Sequence, residues 1–98
     1  MHERIRFVWD ELKARSNLKK HGISFDEAKS AFYDPSARVV FDPDHSQEED
    51  RYILLGLSQS LRMLAICHVH IEDDSTIRLI SARKATKTER KQYKEFNP

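Results

Sequence analysis

The chain has 98 residues, a length that predicts a single domain over 1–98. Hydrophobic residues make up 39% and charged residues 34%, a balance typical of a globular protein and too hydrophobic for outright disorder. The single cysteine, Cys67, excludes an internal disulfide framework, and the lack of a long apolar run excludes a membrane span. We therefore expect a cytoplasmic protein with no membrane partner.

The formal net charge of +1 conceals two oppositely charged segments. Residues 42–50 contain five acidic residues and no lysine or arginine, whereas residues 77–98 contain seven basic residues and two glutamates. The basic segment begins as a β-prone run that ends at Arg83-Lys84 and continues into a helix, whose N-terminus attracts phosphate. This pattern predicts cations at the rim of a sheet, suited to a nucleic-acid backbone.

The first half of the chain predicts one strand, two helices and a second strand. Asp10 can cap the first helix, and Gly22 can end it in the left-handed conformation. Ser24 and Glu27 form a capping-box pattern for the second helix, which the Asp-Pro pair at 34–35 ends. The predicted elements are a strand at 5–9, a helix at 11–20, a helix that begins after Ser24 and a strand at 38–41.

The second half predicts three strands and a last helix. Thr86 and Glu89 repeat the capping-box pattern where this helix starts. Alternation places Cys67 on an apolar strand face, where a small core residue is expected, and His68 and His70 on the other. The predictions are a loop at 42–50, strands at 51–57, 62–72 and 76–82, a turn at 73–75 and a helix to about 95.

The order β-α-α-β-β-β-α predicts an α+β fold, with a mainly antiparallel sheet and helices packed on one face. Several sequence blocks then occur in a family-specific order. They are Phe7-Val8-Trp9-Asp10, Lys20-His21-Gly22-Ile23-Ser24-Phe25, Asp34-Pro35, Asp50-Arg51-Tyr52, Ile77-Arg78-Leu79-Ile80-Ser81-Ala82-Arg83-Lys84 and Glu89-Arg90 followed by Tyr93. With these blocks, nearly the whole chain resembles the BrnT family of type II toxin–antitoxin toxins. One departure is Ser60-Leu61, where a glycine is expected in the turn before the long strand.

The resemblance implies a RelE-like fold and a ribonuclease toxin that stops translation. It also implies a cognate BrnA-like antitoxin, whose ribbon-helix-helix segment binds DNA, so that the complex represses its own operon and operator DNA is bound only through the antitoxin. The alternative is a non-catalytic module that holds an antitoxin and acts as a co-repressor. No cofactor is expected in either case.

RNA can be cleaved without a metal ion when a ribose 2′-OH attacks the neighbouring phosphate. The reaction needs a base, an acid and cations for the developing charge, and the planar fork of arginine suits the last role. Arg51 and Arg83 are the predicted catalytic arginines, although a strand-end arginine is also commonly a salt-bridged surface group. Arg51, for example, can pair with an acidic residue at 48–50. Strict strand alternation places Arg78 and Arg83 on opposite faces of the sheet. This separates the two side chains unless the strand twists or ends before Arg83.

His21 and Tyr93 complete the predicted catalytic set. His21 has a side chain suited to proton transfer near neutral pH, yet Lys20-His21 also suits a helix C-terminus, where cations oppose the dipole. Tyr93 suits either substrate stacking or proton donation, and core packing is an equal alternative. The side chains predicted to hold the RNA backbone are Lys20, Arg78, Lys84 and Lys87. His68 and His70 share a strand face but lack a third ligand, so no metal site is predicted.

Overall fold

Local hydrophobic patterns and caps produce the predicted order of elements. The protein is described by a computed structural model over residues 5–71 and 75–97. Its elements are β1 (Arg6–Val8), α1 (Glu11–His21), α2 (Phe25–Ala31), β2 (Arg38–Phe41), a short 3₁₀ helix (Pro43–His45), β3 (Tyr52–Leu57), β4 (Met63–Ile71), β5 (Thr76–Lys84) and α3 (Lys87–Phe96). β5 is two residues longer than predicted, and residues 73 and 74 of the predicted turn lie outside the described residues.

The five strands form one sheet in the order β1-β5-β4-β3-β2. β1 is parallel to β5 and the other pairs are antiparallel, which confirms the mainly antiparallel α+β fold. The face of the sheet that α1 and α2 cover is the core face, and the opposite face is the outer face. The core consists of Ile23, Phe25, Ala28 and Ala31 against Leu54, Leu64, Ile66, Ile77, Leu79 and Ala82.

The helix caps follow the sequence, with one exception at α2. Asp10 accepts from the backbone of the first turn of α1, and Gly22 ends that helix at φ 72°. Ser24 accepts from the backbone N of Glu27, as predicted, but the return bond of a capping box is not made. That part of the prediction is wrong because the Glu27 carboxylate accepts from Arg62 and from the Ser58 hydroxyl instead.

Glu27 therefore joins α2 to the turn between β3 and β4. Its oxygen Oε2 lies 2.9 Å from Arg62 Nε and 2.7 Å from Ser58 Oγ, and Oε1 accepts from Arg62 Nη2. The hydrogen bond from Arg62 lowers the pKa of Glu27 against the opposing effect of burial. The Glu27 carboxylate thus pairs with residues distant in sequence instead of accepting from the backbone N of Ser24 at the start of its own helix.

α3 departs from the predicted packing of helices on one face. Its N-terminus has the predicted capping box between Thr86 and Glu89. Ala82 belongs to the core, so the neighbouring Arg83 points to the outer face. Glu89 binds Arg83 there, so the start of α3 lies on the side opposite α1 and α2. At the other end of α3, Tyr93 donates its hydroxyl to Asp34 Oδ2 at 2.8 Å.

A β-bulge interrupts the pairing of β4 with β5. Cys67 is opposite Ser81, whereas His68 is opposite Leu79, so Ile80 is the extra residue of the bulged strand. An extra residue shifts the alternation of side chains by one position. The faces on which the following residues lie are therefore the reverse of those that alternation predicts.

The bulge puts Arg78 and Arg83 on the same face of the sheet. Leu79 and Ala82 both belong to the core, so the neighbouring Arg78 and Arg83 both point to the outer face. Strict alternation predicted opposite faces for these two arginines, and that interpretation is wrong because of the inserted residue. The sheet can therefore collect both cations on one side.

Asn17 acts as a strand partner for β5 beyond the end of β1. Among the described residues, β1 pairs with β5 only at 76–78. At Ala82, the Asn17 amide makes the hydrogen bonds that a neighbouring strand would make. Nδ2 donates to the Ala82 carbonyl at 2.8 Å, and Oδ1 accepts from the Ala82 N–H at 2.9 Å. Nδ2 also donates to the Ile23 carbonyl at 2.9 Å. This buried side chain fixes α1 beside Arg83.

We expect Asn17→Ala to lower the free energy of unfolding by about 3 kcal/mol, because buried peptide groups left without partners cost about 1–3 kcal/mol each. Urea denaturation measures the loss. Ser16→Ala is the matched control, since Ser16 is an exposed neighbour on α1, and its effect should stay within about 0.5 kcal/mol. Equal stabilities of the two variants would contradict the role assigned to Asn17.

The turn between β3 and β4 holds a leucine where glycine fits better. Leu61 has φ 61°, and its backbone N donates to the Ser58 carbonyl at 2.9 Å. Its side chain is 77% exposed, so little packing offsets the left-handed backbone. That conformation costs a residue with a side chain about 1–2 kcal/mol.

We expect Leu61→Gly to stabilise the protein by about 0.5–1 kcal/mol, once the larger unfolded-state entropy of glycine is subtracted. Thermal unfolding followed by circular dichroism measures the change as a higher Tm. Ser60→Gly is the control, because Ser60 does not have a positive φ, and it should lower Tm. A Tm for Leu61→Gly at or below the wild-type value would count against the strain.

Candidate active site

An open groove on the outer face collects most of the predicted catalytic side chains. Its volume is about 380 Å³. Three of the four predicted catalytic residues share it with one predicted RNA-binding lysine. The lining consists of Lys20, His21, Asp42, His45, Arg51, Ile53, Ala65, Cys67, Ile80, Ser81 and Arg83. The groove thus combines cations with groups that can transfer protons.

Arg83 is held in the groove by a two-point contact with Glu89. Nη1 lies 2.7 Å from Glu89 Oε1, and Nη2 lies 3.1 Å from Oε2. The hydrogen bond from Arg83 lowers the pKa of Glu89, and the same bond raises that of Arg83. Because Glu89 also caps α3, the start of this helix and the arginine are positioned together. The fork keeps one orientation towards the groove.

Arg51 and Arg78 both approach Glu49 of the acidic loop. Arg78 Nη2 donates to Glu49 Oε1 at 2.5 Å, whereas Arg51 Nη2 lies 3.8 Å from the same oxygen. The second separation is too long for a hydrogen bond. Within residues 5–71 and 75–97, the Arg51 side chain has no hydrogen-bond acceptor, and its Nε is buried without one. Among the described residues, Arg51 is therefore a groove cation that has a long ion-pair contact with Glu49 and no hydrogen-bonded acceptor.

His21 and Lys20 reach the groove from the end of α1. They belong to its last turn, next to Gly22, where cations favour the helix dipole, and both line the groove. The Asn17 contacts with β5 set the position of this helix end. Tertiary packing thus brings a histidine next to a strand that is far away in sequence.

His45 lines the groove, although it is not among the residues predicted from the sequence. Its Nδ1 lies 2.8 Å from Asp42 Oδ2. The base of the loop is closed by Ser46, whose hydroxyl donates to the Asp42 carbonyl at 2.5 Å and accepts from Arg51 N at 2.9 Å. The three-residue spacing of Asp42 and His45 around Pro43 was the available signal, because a turn there brings the two side chains together.

Cys67 differs from its predicted place in the core. It is half-buried and lines the groove. Burial raises the pKa of the Cys67 thiol, and the charge of Arg51 opposes that effect. A thiol that resists ionisation is a weak nucleophile. Cys67 therefore contributes a neutral wall between the charged groups.

Tyr93, Lys84 and Lys87 do not line the groove. Tyr93 has its hydroxyl bound to Asp34, and burial followed by this bond raises the pKa of the phenol. The structure therefore brings Tyr93 to the contact between α3 and the end of α2 and not to the other predicted catalytic residues. Lys84 ends β5 and Lys87 begins α3, and both are exposed next to Arg83 in the chain.

His68 and His70 belong to an aromatic cluster. The His68 ring lies 4.9 Å from Phe32 and 5.4 Å from His70, centroid to centroid. In the described part of the chain, no three His, Cys, Asp or Glu side chains are grouped so as to hold a metal ion.

None of the described helices is long and apolar enough to cross a membrane.

An α+β fold whose groove is lined by arginine, lysine and histidine is suited to a phosphodiester substrate. A family model described as "Ribonuclease toxin, BrnT, of type II toxin-antitoxin system" matches residues 9–89. The chain belongs to this family of ribonuclease toxins, which implies an RNA substrate and an antitoxin partner.

The fold is also similar to a solved relative. The crystal structure of the ribonuclease toxin BrnT of Brucella abortus matches with a TM-score of 0.63 and 25% sequence identity, over 85% of this chain and 99% of that one. A comparison with curated proteins finds no match. The family and the α+β fold expected from the sequence are therefore confirmed.

His68 makes the stability of the protein depend on pH. Burial lowers its pKa from 6.5 to about 4, although a hydrogen bond to the Ile66 carbonyl opposes the shift. The unfolded chain then binds a proton that the folded chain excludes, so stability is lost as pH falls from about 6.5 to about 4. At about 1.4 kcal/mol per pH unit, the loss from this group is about 3 kcal/mol.

We expect His68→Leu to remove this part of the pH dependence, as measured by urea denaturation at pH 7.5 and pH 4.5. His70→Leu is the control, because His70 is exposed. Its charge contributes the smallest of the effects that shift the pKa of His68, so its replacement should keep most of the dependence. Acidic groups with a lowered pKa, such as Glu27, also lower the stability as the pH falls. Their contribution is the same in the wild-type protein and in both variants, so it cancels in the comparison. An unchanged pH dependence in His68→Leu would refute the assignment.

Proposed function

We propose that the chain is an endoribonuclease that cleaves RNA without a metal ion, by attack of a ribose 2′-OH on the adjacent phosphate. In this proposal, cleavage inhibits translation. The observation that supports it is the shared groove of Arg51, Arg83, His21 and Lys20. Such a reaction needs stabilised negative charge and proton transfer, and these four side chains are of the types that supply both.

Arg51 and Arg83 are proposed to stabilise the charge of the phosphorane. Arg51 has no hydrogen-bonded acceptor among the described residues, so binding a phosphate oxygen breaks no hydrogen bond and competes with the 3.8 Å ion pair to Glu49. Arg83 is already oriented by Glu89, and a preorganised cation gives the largest benefit where charge develops. One guanidinium without a hydrogen-bonded acceptor, that of Arg51, and one oriented guanidinium, that of Arg83, are therefore available to a bound phosphate.

The remaining predicted side chains are proposed to hold RNA and to position the site. Lys20, Arg78, Lys84 and Lys87 would contact the backbone on either side of the groove. Arg78 must then leave Glu49, whose contact is half-exposed and therefore weak. His21 is proposed as a proton-transfer group. For Tyr93 we favour a positioning role through Asp34 and α3, because its hydroxyl already has a partner.

A BrnA-like antitoxin with a ribbon-helix-helix segment is the proposed partner. The family assignment supports an antitoxin in general, and the particular type is our proposal. Operator DNA would be bound through the antitoxin, so that the complex represses its own operon. The alternative function, a co-repressor module that no longer cleaves RNA, is an outcome of the test below.

Arg51→Ala and Arg83→Ala should each lower RNA cleavage by about 10²–10³-fold, the usual effect of removing one donor to a developing charge. Induced expression in a bacterial host, with growth and total RNA as readouts, measures this. Arg15→Ala is the matched control, since Arg15 is exposed on α1, and it should arrest growth as the intact chain does.

Arg83→Lys separates catalysis from folding, because lysine keeps the charge opposite Glu89 but loses the fork. It should fold with the wild-type circular dichroism spectrum and remain defective in cleavage. Growth arrest that persists in a stable Arg83 variant would remove Arg83 from the mechanism. If the intact, soluble chain neither arrests growth nor degrades RNA, the ribonuclease proposal fails and the co-repressor module replaces it.

A further inference from the structure

The proposed reaction still needs a base for the 2′-OH, and the groove contains a candidate outside the predicted set. We infer that His45, oriented by Asp42, takes the 2′-OH proton, and that His21 protonates the leaving 5′-oxygen. This inference rests on the proposed ribonuclease function. It adds one catalytic residue, His45, and one positioning residue, Asp42.

The geometry of the pair fits a general base. The Asp42 side chain is only 12% exposed, whereas the His45 side chain is 67% exposed. Because a carboxylate only accepts, their contact through Nδ1, at 2.8 Å, favours the neutral tautomer that has its proton on Nδ1 and its lone pair on Nε2. A buried carboxylate that orients an accessible imidazole is the general arrangement of an activated base.

The loop around the pair is closed by hydrogen bonds. Asp42 N donates to the Arg51 carbonyl at 2.9 Å, and Ser46 connects the same two residues. Gln47 Nε2 donates to the Asp44 carbonyl at 2.8 Å. Four bonds within one short loop limit the movement of its histidine, as a positioned proton acceptor requires.

His45 is also placed next to the cation that would bind the phosphate. It lines the main groove with Arg51 and Arg83, and it shares with Arg51 a second cavity of about 210 Å³. The nearby carboxylates are less suited to be the base. Glu48 and Glu49 line the second cavity and not the main groove, whereas His45 lines both.

A second histidine lines the same groove from another element. His45 comes from the loop after β2, whereas His21 comes from the end of α1. Displacement at phosphorus needs a base on the attacking side and an acid on the leaving side. In the step, the 2′-oxygen bonds to phosphorus and its proton passes to His45 Nε2. The bond from phosphorus to the 5′-oxygen breaks, and protonated His21 supplies the proton to that oxygen, which leaves a 2′,3′-cyclic phosphate.

A sulfur substitution in the RNA distinguishes the two histidines. In an oligoribonucleotide whose scissile 5′-oxygen is replaced by sulfur, the leaving thiolate needs no proton. We expect His45→Ala to slow cleavage about 10²–10⁴-fold in both the oxygen and the sulfur RNA. We expect His21→Ala to slow only the oxygen RNA. The sulfur is placed at a linkage that the intact chain cleaves in the matching oxygen RNA.

Asp42 is tested through its dependence on His45. Asp42→Asn should lower kcat and leave KM unchanged, and it should have no further effect in the His45→Ala background, because the two residues act as a unit. Asp44→Asn is the control, since Asp44 is exposed on the same loop and only its backbone carbonyl is bound. Additive effects of Asp42→Asn and His45→Ala would overturn the positioning role.

Each other outcome has a defined meaning. Wild-type rates in His45→Ala would overturn the inference and leave the ribonuclease intact, provided that Arg51→Ala is defective in the same assay. Restoration of His45→Ala by the sulfur RNA would overturn its role as the base and make it the acid. Failure of the intact chain to cleave either RNA would instead overturn the proposed function itself.

Discussion

The amide of Asn17 is the contact on which the site depends. Beyond the end of β1, it satisfies both the N–H and the carbonyl of Ala82 from within the core. This fixes α1 against β5 beside the bulge at Ile80, so that His21 lines the same groove as Arg83, the outer-face neighbour of the core residue Ala82. A buried amide that pairs all these groups is stabilising, whereas the same groups left unpaired would be costly.

The charged groups of the groove are arranged by the protein's own carboxylates. Glu89 holds the Arg83 fork and caps α3, while Glu49 binds Arg78 and stays farther from Arg51. In the proposed function, RNA would compete with Glu49 more readily than with Glu89. The Glu49 contact is half-exposed and makes one hydrogen bond, whereas the Glu89 contact is two-pronged and better shielded.

Local sequence signals predicted the elements well where both partners lie within one turn of the chain. Asp10, Gly22 and the capping box at Thr86 are such cases. The same pattern at Ser24 was only half right, since Glu27 found a stronger partner in Arg62, 35 positions away. Arg51, Arg83 and His21 were found as candidates from residue type and family pattern, but neither source gives a distance between them.

The sequence by itself determined the order of strands and helices, the family, and most of the charged side chains of the candidate site. These depend on neighbouring residues, whose spacing is set by the covalent chain. Only the tertiary structure decided that Arg78 and Arg83 share a face, that Cys67 lines the groove and that Tyr93 binds Asp34. The β-bulge at Ile80, the folded loop after β2 and the position of α3 all depend on contacts between distant residues. Periodicity along the chain does not encode such contacts.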